Sequence, residues 1–195
     1  MSIVKLNNPK TSNYHNIKKF ILSPVFPWTY CAESTPNTNN QLDGYKWSSR
    51  RHLKEDVKIH NTRMYTHTFL LRSGTDILYA TPESSYIKDI LPIYHDIFNA
   101  NYEVMKDFGM MCRCNVNAVE PPYDHQYINA ITQPHMDHEF PHKNMLVYLT
   151  DAGGSTFVEG EEFAPEEDDV IIFEGMHWHE LPKEERRVVL VMTYI

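Results

Sequence analysis

Several features that would fix a protein's class at once are scarce or missing here. Three cysteines in 195 residues, Cys31, Cys112 and Cys114, are too few and too unevenly spaced for a disulfide framework. There is no basic surplus: 18 Lys and Arg stand against 26 Asp and Glu, a formal net charge of −8. That balance argues against duplex nucleic acid as a partner, whose phosphates call for a basic footprint. No apolar run approaches a membrane span, and the opening "MSIVKLNNPKTSNYHNIKKF" holds none long enough for a secretory leader. The expectation is a cytoplasmic, reduced protein with no membrane partner. Internal repeats and low-complexity tracts are absent, as are a Gly-Lys-Ser/Thr phosphate loop and a nucleophile elbow. The unusual abundance is histidine, at 11 residues.

Length points to one domain over residues 1–195, large enough to bury its own core. Residues 1–110 read as an N-terminal extension of strands and helices. Within it, "ILSPVFPWTYC" is an extended, packed segment, and the polar, turn-rich residues 32–62 are long loops. "RMYTHTFLLR" and "DILYA" flank Ser73-Gly74-Thr75 as a hairpin. Ile87, Ile90, Leu91, Tyr94, Ile97, Phe98, Tyr102 and Met105 then recur at helical spacing. Thr81 is the expected N-cap with Pro82 at the first helical position, Pro92 a break or kink, and Gly109 a stop.

From residue 111 onward the pattern is all β. "RCNVNAV", "QYINAIT", "NMLVYLT", "STFVEG", "DVIIFEG", "MHWHE" and "RVVLVMTYI" follow one another at short intervals across Pro, Gly and acidic turns. The fold class expected is α+β, mainly β. A jelly-roll core over residues 111–195 carries the site, and the N-terminal helices pack outside it. Cys112 and Cys114 read as two strand thiols on one face, and the acidic run 159–169 as a solvated loop.

The stretch "PHMDHEFPH" concentrates the chemistry. His135 and Asp137 stand two positions apart, on one side of an extended chain. "FEGMHWHE" offers a third ligand, His177 or His179. Two histidines and one carboxylate leave three coordination positions open, the facial arrangement suited to non-haem Fe(II). An arginine opens the last strand, and its planar fork matches a carboxylate with two parallel hydrogen bonds. Together these point to a dicarboxylate co-substrate gripped at its far end.

His135-x-Asp137, then "VYLTDAGGST", "IIFEGMHWH" and "RRVVLVMTY", resemble the Fe(II)- and 2-oxoglutarate-dependent dioxygenases. The likeness is closest to the small prolyl-hydroxylase-like members found in phages and marine bacteria. It covers residues 111–195 well and the N-terminal half loosely. The resemblance implies a double-stranded β-helix, Fe(II) at the triad, and 2-oxoglutarate and O2 as co-substrates. It also implies hydroxylation of a peptide side chain or small molecule with release of succinate and CO2.

Periodicity does not choose between His177 and His179, which share a strand face. The resemblance favours His179 by its distance from Phe173 and by the pair His179-Glu180, whereas the interval to Arg187 fits His177. The ligand set taken forward is His135, Asp137 and His179, with His177 lining the pocket. Arg187 binds the co-substrate: facing inward, it shares its side with Val189, Val191 and Thr193, and Arg186 points to solvent. His138, Glu139 and His142 fall on the rim, and Tyr123 or Tyr127 is a candidate partner for the co-substrate. The competing readings are a zinc or manganese jelly-roll hydrolase or isomerase, which leaves Arg187 without a task, and a non-enzymatic jelly-roll binding protein.

Overall fold

The computed structural model describes residues 3–32, 58–60, 62–72 and 80–195. Most of the expected loops at 32–62 and the hairpin tip at Ser73-Gly74-Thr75 lie outside the described residues.

The scaffold grows from its last strand. Arg187–Tyr194 (β11) alternates residues that pack on two different cores, and all eight are buried. It sits centrally in a sheet, antiparallel to Met111–Val119 (β5) on one side and to Lys143–Tyr148 (β6) on the other. Beyond β6 come Val170–Glu174 (β9) and then Val4–Leu6 (β1). Beyond β5 come Met64–Arg72 (β3) and Thr29–Cys31 (β2), with Ala80–Pro82 (β4) also paired to β3. The sheet therefore has eight strands, drawn from both halves of the chain. A smaller sheet orders His177–His179 (β10), Thr156–Val158 (β7) and Glu161–Phe163 (β8).

Strand alternation gives each face of the large sheet its own core. On the outer face, Cys114, Val116, Met145, Val147, Val188, Leu190 and Met192 pack with residues of the helices. Those helices are Ser12–Ile21 (α1), Ile87–Ala100 (α2) and the single turn Tyr102–Met105 (α3). On the inner face, Leu146, Tyr148, Ile171, Phe173, Val189 and Val191 meet Val158 of the small sheet. Two sheets folded face to face around that inner layer, with helices on the outer side, make a double-stranded β-helix, the fold expected from the strand rhythm.

Some local readings are revised. Thr81 and Pro82 belong to β4 rather than to a helix start, because Thr81 pairs with Leu71 across the sheet. Helix α2 begins at Ile87 and runs unbroken through Pro92; the interruption falls at Asn101. Pro92 sits early in the helix, with only the Lys88 carbonyl to lose a partner. Thr11 caps an unforeseen helix, α1, with its hydroxyl accepting from the Tyr14 N–H at 3.4 Å. "QYINAIT" begins in a short 3-10 turn at His125–Tyr127 and forms isolated bridges at Ile131 in place of a strand. The acidic run 159–169 is not wholly a solvated loop, since it contributes β8, and its Asp168 carboxylate binds Tyr14, Lys10 and Lys18 of the α1 region.

Candidate metal centre

Two strand segments bring the polar side chains together. His135 and His177 exchange both backbone hydrogen bonds, at 2.9 and 3.0 Å. In such a directly opposed pair the side chains leave the backbone on one face, side by side. Their ring centroids lie 4.3 Å apart. The tight turn into β10 depends on Gly175, whose φ is +101°; a Cβ there would stand 2.7 Å from the Glu159 Oε1 atom. His179 follows on the same face, its ring 5.4 Å from that of His177 and 6.2 Å from that of His135. One nitrogen from each of the three rings falls within 4.8 Å of the others.

All three rings are oriented from behind. His135 Nδ1 lies 2.8 Å from the Gln133 carbonyl oxygen, and His177 Nδ1 lies 3.3 Å from that of Gly175. A carbonyl only accepts, so these Nδ1 atoms are the donors and the Nε2 atoms face away from that bond. His179 Nδ1 lies 2.8 Å from the Thr156 hydroxyl, which in turn lies 2.7 Å from the Tyr148 hydroxyl. Holding one ring nitrogen fixes the orientation of the other, an arrangement typical of histidines that bind metals.

Asp137 adjoins this cluster. One carboxylate oxygen is bound by the Arg113 guanidinium, and the other lies 3.8 Å from His177 Nε2. Burial alone would raise the Asp137 carboxyl, but Arg113 and the two nearby imidazoles hold it far below the usual carboxylate range. It stays ionised at any working pH. Burial lowers the His177 imidazole to about 3, aided by His135 and partly opposed by Asp137. Burial and then the Arg187 charge also keep His179 well below its ordinary value. Three imidazoles and one carboxylate form a donor set that fits a divalent cation.

Arg187 lies at the other end of the inner face. It is 4% exposed and donates to the Glu180 carbonyl at 2.8 Å. Tyr148 and Glu180 are its nearest opposing groups, and burial lowers it from its ordinary range. Gly154, with φ +85°, lets the backbone pass close beside it: an added Cβ would stand 2.8 Å from the Leu181 carbonyl oxygen. Arg186 turns outward to bind Glu120, with its guanidinium stacked over Tyr65.

The structure thus brings His135, Asp137, His177 and His179 together and sets Arg187 on the same inner face. Glu139 is exposed. His138 Nε2 lies 2.7 Å from the Thr193 hydroxyl, and His142 is buried behind it. Tyr123 is 82% exposed and Tyr127 stacks on His60, so the tyrosine beside Arg187 is Tyr148. Sequence reasoning did not single out Tyr148, Thr156 or Arg113. Inward alternation along β5 and β6 was the signal that would have found Arg113 and Tyr148.

No protein-family model and no curated relative matches the chain. Among solved structures it is similar to an oxidoreductase of the 2OG-Fe(II) oxygenase family from Burkholderia pseudomallei. That likeness has a TM-score of 0.54 and 15% identity, over 69% of this chain and 67% of that one. It is also similar to a prolyl hydroxylase from Trichoplax adhaerens in complex with a hypoxia inducible factor oxygen degradation domain peptide. There the TM-score is 0.54 and the identity 11%, over 99% of this chain and 83% of that one. At these identities the likeness is one of fold.

Proposed function

We propose that the chain is an Fe(II)- and 2-oxoglutarate-dependent dioxygenase, of the small prolyl-hydroxylase-like kind, acting on a peptide side chain or small molecule. The observation that carries this is the convergence of oriented imidazole nitrogens beside an ionised carboxylate, on the same inner face as a buried arginine. His135, Asp137 and His179 would hold the iron, with His177 beside them. Bound there, Fe(II) supplies the redox chemistry that couples oxidative decarboxylation of 2-oxoglutarate to substrate hydroxylation.

The chain's own residues supply position and charge. Asp137 brings a full negative charge that needs no deprotonation at neutral pH. The Gln133 and Gly175 carbonyls and the Thr156 hydroxyl keep the three imidazoles aimed inward. Arg187 grips the far carboxylate of the co-substrate, with the Tyr148 hydroxyl beside it. Leu146, Val189 and Val191 are apolar residues of the same inner face. A hydrolase or isomerase built on zinc or manganese would use the same donors but gives a buried, water-excluded arginine no anion to bind.

The test is anaerobic loading with Fe(II) and 2-oxoglutarate. A weak visible charge-transfer band is expected, followed by succinate when oxygen is admitted. Folded, iron-loaded protein that shows neither behaviour would refute the proposal.

A further inference from the structure

Beyond the Arg187 end, the inner face of the large sheet carries a second polar region that the proposed chemistry leaves unused. The strand register places Phe173, Asn144, Thr193 and Arg113 in one row across β9, β6, β11 and β5. Asn115 stands in the next row, opposite Val191. This region touches the metal centre and its rim at three points. Arg113 binds Asp137, the His138 imidazole meets Thr193, and the Phe173 ring lies against His177 at 4.9 Å between centroids.

Several of its polar atoms lack partners, although Asn115 Nδ2 donates to Asn117 Oδ1 at 2.6 Å. Asn144 is 0% exposed, yet neither its amide nitrogen nor its amide oxygen has a hydrogen-bond partner among the described residues. The Asn115 amide oxygen, the Arg113 Nε and the His142 Nε2 are likewise buried and unpartnered there. His142 Nδ1 lies 2.7 Å from the Phe140 carbonyl oxygen. Each buried polar group left without a partner costs free energy, and native folds hold few of them. Their concentration beside a metal centre is what a binding site prepared for a polar ligand displays.

We infer that Asn144, Asn115 and His142 form the subsite for the prime substrate, and that it takes an uncharged group presenting a hydrogen-bond donor and acceptor side by side. The donor and acceptor of one asparagine match such an edge bidentately, whether a carboxamide or a nucleobase supplies it. An anion does not fit. The Arg113 guanidinium is already neutralised by Asp137, and the unpartnered Asn115 amide oxygen would face the added negative charge. The location of this subsite beside the reacting centre rests on the dioxygenase reading; its ligand preference does not.

The experiment measures binding to the metal-free, full-length protein by calorimetry or NMR titration. Nicotinamide and N-acetylglycinamide represent carboxamides, adenine and cytosine represent nucleobase edges, and nicotinate is the charged counterpart. One of the neutral arms is expected to bind, at least about ten-fold more tightly than nicotinate, and the arm that binds identifies the source of the edge. Asn144→Leu and Asn115→Leu should each weaken that binding by about ten-fold or more, the value of one good hydrogen bond in a dry site.

Asn144→Leu should keep or raise the melting temperature, since it removes a buried amide with no partner among the described residues and leaves a side chain of similar shape; Asn115→Leu also loses the bond its amide nitrogen donates to Asn117 Oδ1. Three results overturn the inference: no neutral probe binding below 10 mM (about ten-fold weaker than the weak end of the usual metabolite range), binding unchanged in both variants, or nicotinate binding as well as the amides. A melting temperature lowered in both variants also overturns it, because the asparagines would then be structural. Succinate formation from 2-oxoglutarate alone is measured separately on the wild type. Its absence there would count against the dioxygenase reading and leave the binding result standing.

Discussion

Asp137 is shared between Arg113 and His177: the guanidinium binds one carboxylate oxygen, and the imidazole Nε2 stands 3.8 Å from the other. Arg113 lies on β5 and His177 on β10, so the carboxylate links the two sheets at the centre of the inner face. In the metal-free protein the guanidinium supplies the positive charge that an ion would otherwise bring.

This sharing predicts how Arg113 variants behave. Arg113→Met leaves a buried carboxylate without its cation, a loss of roughly 3–5 kcal/mol for a buried pair broken on one side. A divalent ion can replace that cation. The metal-free variant should therefore melt well below the wild type, and Mn(II) should raise its melting temperature by more than it raises the wild type's. Equal metal-induced shifts in differential scanning would show that Arg113 and the ion do not compete for Asp137.

Acid should destabilise the metal-free fold in a window set by histidine. Folded His177 is lowered to about 3 from an ordinary value of 6.5, so between those values the unfolded chain binds a proton that the folded chain excludes. Stability is complete above about 6.5 and falls as the pH drops toward 3, by about 1.4 kcal/mol per unit for this one group. His179, also lowered, adds to the same slope. The carboxylate of Asp168, held at about 2, contributes only below the ordinary aspartate range. Melts at pH 7, 6 and 5 should show the decline, and His177→Asn should reduce its slope by about half if the two groups contribute equally. An unchanged slope would remove His177 from the account.

The two neighbouring arginines should separate cleanly. Arg187→Ala removes a buried guanidinium from the inner face and should raise the 2-oxoglutarate requirement by about a hundred-fold or more, the scale of a desolvated charge-assisted pair. Arg186→Ala removes only a half-exposed pair with Glu120 and should change it by less than about two-fold. Equal effects in a succinate assay would contradict the placement of the co-substrate.

Thr156 links the two ends of the site, since its hydroxyl meets both Tyr148 and His179 Nδ1. Thr156→Val keeps the shape and removes the hydroxyl. The His179 ring then loses its fixed orientation, and metal affinity should fall by about 10- to 100-fold, as for other outer partners of metal-binding histidines. Competition against a fluorescent chelator measures this directly; unchanged affinity would show that His179 does not touch the ion.

The sequence carried the parts of this site that follow simple periodicity. Inward and outward residues of β11 were legible because a two-residue alternation decides them, and His135-x-Asp137 stood out for the same reason. The choice at His177 and His179 was not legible, because both share one face of β10 and only the register with His135 sets them apart. Arg113 and Asn144 read as ordinary strand residues until β5 and β6 were placed on either side of β11. Helix α2 began later than its Thr-Pro pair suggested, because pairing with β3 outweighed the local capping preference. The order of the large sheet, which interleaves strands from both ends of the chain, depends on contacts that no local pattern encodes.

The most direct test of the central claim is a Mn(II) titration of the metal-free protein followed by electron paramagnetic resonance, which reads the free ion. The account predicts that one equivalent per chain is taken up, and that Asp137→Asn and His135→Asn each abolish this uptake while the fold survives. Full uptake by both variants, or none by the intact protein, would show that these imidazoles and this carboxylate do not bind a common ion.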